Sequence, residues 1–156
     1  MNLLYYPNIS LTTYCHEVKT FDHGIHIVLD NMKRIMEEAN GMGLAANQVG
    51  LDLRVFIMKD LKGKIWEFVN PVIIFEDDVQ YEDEGCLSFP GVVVQVKRSK
   101  QVSVKAQDRN GEWFHIGAYG KEAVCIQHEM EHLNGQTFLN GLSRQQKRDA
   151  LRSIKK

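Results

Sequence analysis

Apolar residues recur at helical spacing over residues 22 to 40, where Ile25, Val28, Leu29, Met32, Ile35, Met36 and Ala39 share one face. This predicts an amphipathic helix, with Gly41 placed where a helix commonly stops. The pattern then changes from period 3.6 to short apolar or alternating runs. LRVFIM at 53–58 and IWEFVN at 65–70, separated by LKGK, read as a hairpin. Pro71 is expected to end the second of these strands, since it has no N–H for a ladder. VIIF at 72–75, GVVVQV at 91–96, QVSVKAQ at 101–107 and EWFHIG at 112–117 are further strand candidates, with DRNG as the turn between the last two. From Tyr119 the helical spacing returns: AVCIQHEMEHL predicts a second helix that stops at Asn134-Gly135. A short basic helix is expected at about 143–156, with Leu151 and Ile154 turned to the body. The order predicts an α+β fold: mostly antiparallel β-sheets packed around a central helix bearing histidines, with an N-terminal amphipathic helix.

Composition narrows the setting without naming a chemistry. At 156 residues, 44% hydrophobic and 25% charged, the chain suits one soluble domain spanning 1–156. A formal net charge of -1 argues against a global attraction to DNA or to an anionic membrane. No apolar run approaches the roughly 20 residues of a membrane span, and the start MNLLYYPNIS has no signal-peptide pattern. A cytoplasmic protein is therefore expected. Three cysteines, at 15, 86 and 125, suit free thiols or a metal thiolate better than a disulfide framework.

The chemistry concentrates in His128-Glu129-Met130-Glu131-His132, an H-E-x-x-H sequence on the second predicted helix. Residues four apart lie on one helical face about 6 Å apart, so both imidazoles can reach one metal, with Glu129 beside them to take a proton. Two unrelated packed histidines would give the same string. Zinc peptidases with this motif take a third ligand from downstream, but Phe138 stands where the metzincin pattern has its last histidine, and no Glu or His follows His132. The third ligand must lie upstream. Cys125 shares the histidines' face but sits roughly 7–8 Å along the axis from the metal's level, too far for a thiolate that binds at about 2.3 Å, and reads as a small apolar wall residue. Cys15, in a polar N-terminal segment, reads as an incidental free thiol. Cys86 remains, in the glycine-containing turn EGCLS. Two imidazoles and one thiolate with an open fourth position form a catalytic pattern, whereas a closed structural site would need Cys15 or His115 as well. His16, His23, His26 and His115 have no partner spacing and read as surface or packing residues.

GMGLAANQ at 41–48, EGCLS at 84–88 and QHEMEHLNG at 127–135 resemble, in order and separation, the three signature motifs of peptide deformylases. The similarity extends from LLYYP to LSRQQKR, nearly the whole chain. It implies that Cys86, His128 and His132 hold a divalent metal, natively Fe2+ and replaceable by Zn2+, Ni2+ or Co2+. It also implies Glu129 as general base, with the Gln48 amide and the backbone N–H of Leu87 as donors to the formyl oxygen. Met42, Val124 and Cys125 would then line the pocket for the first side chain, and Gly41 and Gly43 would let a substrate approach as an added strand. The implied activity is removal of the N-formyl group from N-formyl-methionyl nascent peptides, in a bacterial-type cytoplasm, a phage-infected cell or an organelle. As bare residues, Gln48 reads as a loop side chain bonded to backbone, the glycines as turn formers, and Met42, Val124 and Cys125 as core.

Two features depart from the family pattern. Position 131 is Glu where the family has Asp, which shifts any hydrogen bond it makes to a ligating imidazole. Lys121 and Glu122 replace bulky apolar residues and make the pocket rim more polar. The family pairs Glu84 with Arg98 to brace the metal loop, although alone they read as two solvated charges. The basic C-terminal helix could touch ribosomal RNA, but a solvated face is the plainer reading. Two other functions fit the motifs less well: an inactive metal-bound ribosome-docking module, for which Glu129 has no use, and a metalloamidase for another acyl group.

Overall fold

Five strands lie side by side in chain order: β1 (Gly43–Ala45), β2 (Val55–Lys59), β3 (Ile65–Glu84), β4 (Val94–Gln107) and β5 (Trp113–Tyr119). Each pairs antiparallel with the next. Among the described residues three α-helices accompany them: α1 (His23–Glu38), α2 (Lys121–Leu133) and α3 (Arg144–Leu151). The structure is a computed structural model and describes residues 1–155. The α+β class with H-E-x-x-H on the central helix agrees with the sequence reading.

β2 explains how the layers form. Its side chains alternate, so Phe56 and Met58 join the cluster on the α2 side, while Val55 and Ile57 join the one on the α1 side. A strand covered on both faces must be apolar throughout, which is the composition of VFIM. Helix α1 closes the outer layer through Ile25, Leu29, Met32, Ile35 and Met36. It ends in a Schellman motif: Asn40, at φ 55°, is the left-handed residue, and the Gly41 N–H bonds to Met36 O at 2.9 Å. The reversal therefore falls one residue before the expected glycine, on an Asn that tolerates it.

Two strand boundaries differ from expectation. β3 runs through Pro71 because the chain bulges there: Asn70 has φ 51°, and the pairing with β4 shifts between Val69 and Val72. The Asn70 amide fastens the bulge, accepting from Val18 N and donating to Val18 O, each at 2.8 Å. The two strands expected at 91–96 and 101–107 are one strand from Val94 onward, since Lys97, Arg98 and Ser99 pair with Tyr81, Gln80 and Val79. That pairing makes strand of the acidic stretch 76–84, whose composition does not suggest one.

The sheet curls so that β1, β2, β4 and β5 all pack on α2. Nine of the thirteen residues of α2 are buried, including Gln127, His128, Glu129 and His132. Polar side chains buried on a central helix need partners, and at α2 those partners form the site. Helix α3 is shorter than expected, running from the Ser143 cap to Leu151, and Lys156 lies outside the described residues. Leu151 and Ile154 do face the body, packing with the cluster of Phe89, Val92, Val94 and Phe138. Beyond the helix, Lys155 N donates to Pro90 O at 2.8 Å, which ties the C-terminal segment to the loop after Cys86.

Candidate metal centre and active-site cleft

The Nε2 atoms of His128 and His132 lie 3.2 Å apart, and Cys86 Sγ is 3.4 Å from His132 Nε2. One ligand atom from each of the three residues lies within 4.8 Å of the others. The helical repeat places the two imidazoles. The sulfur comes from the turn that ends β3, closed by Phe89 N donating to Cys86 O at 2.9 Å. Phe138, on the third-histidine position of other H-E-x-x-H proteins, is buried with its ring edge-on to His128 at 5.6 Å between centroids.

This donor set fits a divalent ion. Burial and the positive charges of His128 and Arg98 push His132 well below the usual imidazole range, leaving it neutral as a ligand must be. Burial also lowers His128, but its contacts with Cys86 and Glu84 outweigh that and hold it well above the usual value. An imidazole ligates only in its neutral form, so a metal held here would displace the proton of His128.

The other two thiols do not join the group. Cys125 is buried in the core on the α2 side, its sulfur close under Gly43, and burial raises its pKa well above the ordinary thiol value. Cys15 differs from its expected character. It is fully buried in the same cluster, and burial pushes it up to about 11. Its segment crosses the end of α2, where Cys15 N bonds to Leu133 O at 2.9 Å. A cysteine flanked by polar residues gives no sign of that crossing in sequence. Among the other histidines, His16, His23 and His115 are exposed, and His26 Nε2 lies 2.9 Å from Arg109 O.

A carboxylate–guanidinium pair braces the centre. Glu84 receives Arg98 Nε on Oε2 at 2.7 Å and Arg98 Nη2 on Oε1 at 2.9 Å, and Oε1 also lies 2.8 Å from His128 Nδ1. Both are nearly inaccessible, so the plain reading of two solvated charges does not hold. Although burial raises the Glu84 carboxyl, its bonds to Arg98 and His128 bring it below the usual value. Glu131 contacts the brace rather than an imidazole: its Oε1 forms an ion pair with Arg98 Nη2 at 2.7 Å. The expected hydrogen bond from position 131 to His128 or His132 is absent among the described residues, the Glu131 carboxylate being turned to Arg98 instead.

A cleft of about 540 Å³ opens beside Cys86 and His128, and Met42, Gly43, Val124 and Cys125 line it with Gln48 and Glu129. Glu129 is buried with Oε1 unpartnered, and burial pushes its carboxyl up to about 7, with His128 opposing and Glu84 reinforcing the shift. Gly41 and Gly43 are closely approached by side chains of the protein itself. A Cβ on Gly43 would lie 2.6 Å from Glu129 Oε2 and 2.7 Å from Cys125 Sγ, and one on Gly41 would lie 2.6 Å from Leu87 Cδ1. Gln48 sits in a 3-10 turn (Ala46–Val49). Its Oε1 accepts from Ala45 N at 2.9 Å, while Nε2 donates to Ser88 Oγ at 3.1 Å and toward Cys86 Sγ at 3.6 Å. The backbone reading of Gln48 is thus half right, since only its oxygen is held by the turn. The Leu87 N–H has no acceptor among the described residues.

Lys121 reaches the cleft, but Glu122 turns away to accept from Leu61 N at 3.1 Å, so only the first adds charge to the rim. Glu82 and Asp83, at the end of β3, line the opening too and carried no signal in sequence. Ser88 was visible only as a letter of a motif. Asn47, buried against the end of α2, had no signal beyond its place before Gln48.

The sequence model of polypeptide deformylases matches residues 1–148. A peptide deformylase of Chromobacterium violaceum is 40% identical over 158 residues, covering all of this chain and 95% of the relative. That of Pseudomonas aeruginosa is 42% identical over 156 residues, covering 97% and 92%. In structure, the Legionella pneumophila peptide deformylase superposes with a TM-score of 0.93 at 37% identity, over 97% of this chain and 91% of that one. The Synechococcus elongatus enzyme crystallised with actinonin gives 0.92 at 35%, over 98% and 85%. With motifs, fold and full-length likeness in agreement, the chain belongs to the polypeptide deformylase family and is a hydrolase.

Proposed function

We propose that this protein, as one catalytic domain, removes the N-formyl group from the N-terminal methionine of nascent polypeptides, with Cys86, His128 and His132 holding one divalent metal. The convergence of those three ligand atoms beside an apolar cleft carries the reading. When bound, the ion supplies Lewis acidity and makes water a competent nucleophile near neutral pH. Fe2+ is the native ion by family resemblance, with Zn2+, Ni2+ and Co2+ able to replace it.

Glu129 is assigned as general base. Its unpartnered, desolvated carboxylate can take the proton of the attacking water and pass it to the departing amine, and a pKa near 7 suits both transfers. The charge developing on the formyl oxygen needs donors already in place. The Gln48 amide, held by Ala45 N at its other end, and the unengaged Leu87 N–H are those donors. The flexible thioether of the first residue fits among Met42, Val124 and Cys125. β1 is the edge of the sheet and reaches the cleft at Gly43, so an extended peptide can add beside it.

No described helix is long and apolar enough to cross a membrane, and the relatives named above come from bacteria. A bacterial-type cytoplasm, where chains start with formyl-methionine, is the proposed place of action. The exposed Arg144, Arg148 and Arg152 support a weak contact with the ribosome.

Turnover of a formyl-Met peptide against its acetyl counterpart, by anaerobically prepared protein of measured metal content, tests the assignment. Activity on neither by metal-replete protein favours a docking module, and preference for acetyl favours another amidase.

A further inference from the structure

His128 and His132 occupy equivalent places on α2, yet their outer ring nitrogens are treated differently. His128 Nδ1 lies 2.8 Å from Glu84 Oε1, whereas His132 Nδ1 is buried with no partner. His132 directs Nε2 toward Cys86 and His128, so when it ligates through that atom its Nδ1 carries the proton. It is then a buried N–H donor, and such donors are seldom left unmet beside a metal.

Besides this donor, the described residues contain two buried side-chain oxygens without any partner, Glu129 Oε1 and Asn47 Oδ1, and a third, Glu131 Oε1, whose contact is the ion pair with Arg98. Glu129 and Glu131 do not serve. The first lines the cleft, and the second is ion-paired with Arg98 at 2.7 Å, pointing away from its helix neighbour. Asn47 touches His132 already. Its Nδ2 donates to His132 O and, at 3.3 Å, to Thr13 O. Two carbonyl acceptors at one end fix which atom of the amide is nitrogen, so the unpaired end is an oxygen. Asn47 and His132 are both 0% exposed.

We infer that Asn47 is a positioning residue for the metal site. Its Nδ2 clamps the last turn of α2 at His132 O, and its Oδ1 accepts the Nδ1–H of His132, directly after a small rotation or through one buried water. Asn47 would then do for His132 what Glu84 does for His128, with a neutral acceptor in place of a carboxylate. The turn Ala46–Val49 would set one ligand through Asn47 and aim the Gln48 amide through the next residue. The inference rests on His132 being a ligand.

The test uses zinc-loaded protein with 15N-labelled histidine. In the wild type two ring N–H protons, from His128 and His132, should appear downfield and exchange slowly with solvent. A His132 Nδ1–H that exchanges as freely as an exposed imidazole overturns the inference without any variant. In Asn47→Leu the His132 resonance should move upfield or broaden while that of His128 stays. Metal affinity by chelator competition should fall about 10- to 100-fold, as for loss of other partners of ligating histidines. Asn47→Asp keeps an oxygen acceptor but loses the donor to His132 O and Thr13 O, so a folded Asp variant should retain the His132 resonance although the clamp is gone. An unmoved His132 resonance in a folded Asn47→Leu protein sinks the proposal. Absence of both slow protons together with zinc binding below one equivalent would instead unseat the metal assignment.

Discussion

Glu84 Oε1 lies 2.8 Å from Nδ1 of His128, and the same carboxylate is gripped by both an Nε and an Nη of Arg98. The end of β3 is thus fastened to the middle of α2 two residues before the chain delivers Cys86. The contact that orients one proposed ligand also fixes the strand that carries another.

Glu84→Ala should therefore damage folding and metal binding together. It leaves the buried Arg98 with only Glu131 as a counter-charge, and breaking a buried pair in this way costs about 3–5 kcal/mol. Urea unfolding of the metal-free variant should show a loss of that size, and chelator competition a metal affinity weakened about 10- to 100-fold. Wild-type values in both would mean that the brace is incidental.

Cys86→Ser exchanges a thiolate for a hydroxyl at the one proposed ligand outside α2. Metal content after dialysis should fall, with preference moving away from ions that favour sulfur. Elemental analysis showing unchanged binding would remove the thiol from the ligand set.

Glu129→Ala should keep its metal and lose at least about two orders of magnitude in turnover, since Glu129 faces the cleft and bonds to none of the three proposed ligands. Steady-state rates on a formyl-Met peptide, at matched metal content, decide the point. Undiminished turnover would take the base role from it.

Gly43→Ala places a methyl group where Glu129 Oε2 and Cys125 Sγ already stand. Overpacking of this kind costs roughly 1–3 kcal/mol. The carboxylate should be pushed aside, lowering kcat while the metal stays bound. A companion change of Cys125→Ala opens space on one side and should recover part of the stability. If Gly43→Ala turns over like the wild type, the tight approach has no catalytic consequence.

Much of this molecule was legible as a string because its chemistry is local. A four-residue step on a helix puts two imidazoles on one face whatever surrounds them, and the apolar periodicity of 22–40 and 123–133 marks two helices by geometry alone. Elimination left Cys86 as the thiol to join the two imidazoles, where the structure places it, and the family motifs suggested roles for Gln48 and Leu87.

What the string left open depended on contacts between distant segments. Pro71 reads as a strand end until Asn70 bulges over it, and 76–84 reads as an acidic loop until β4 supplies its hydrogen bonds. Glu84 and Arg98 read as solvated charges until burial makes each the other's counter-ion, with Glu131 as a second carboxylate on Arg98, and Cys15 and Asn47 have no character until the N-terminal segment and the turn at 46–49 close on α2. Spacing along one helix is set by backbone geometry, which sequence reports directly. Which polar groups lose water, and which partners they find in exchange, is decided only when the layers meet.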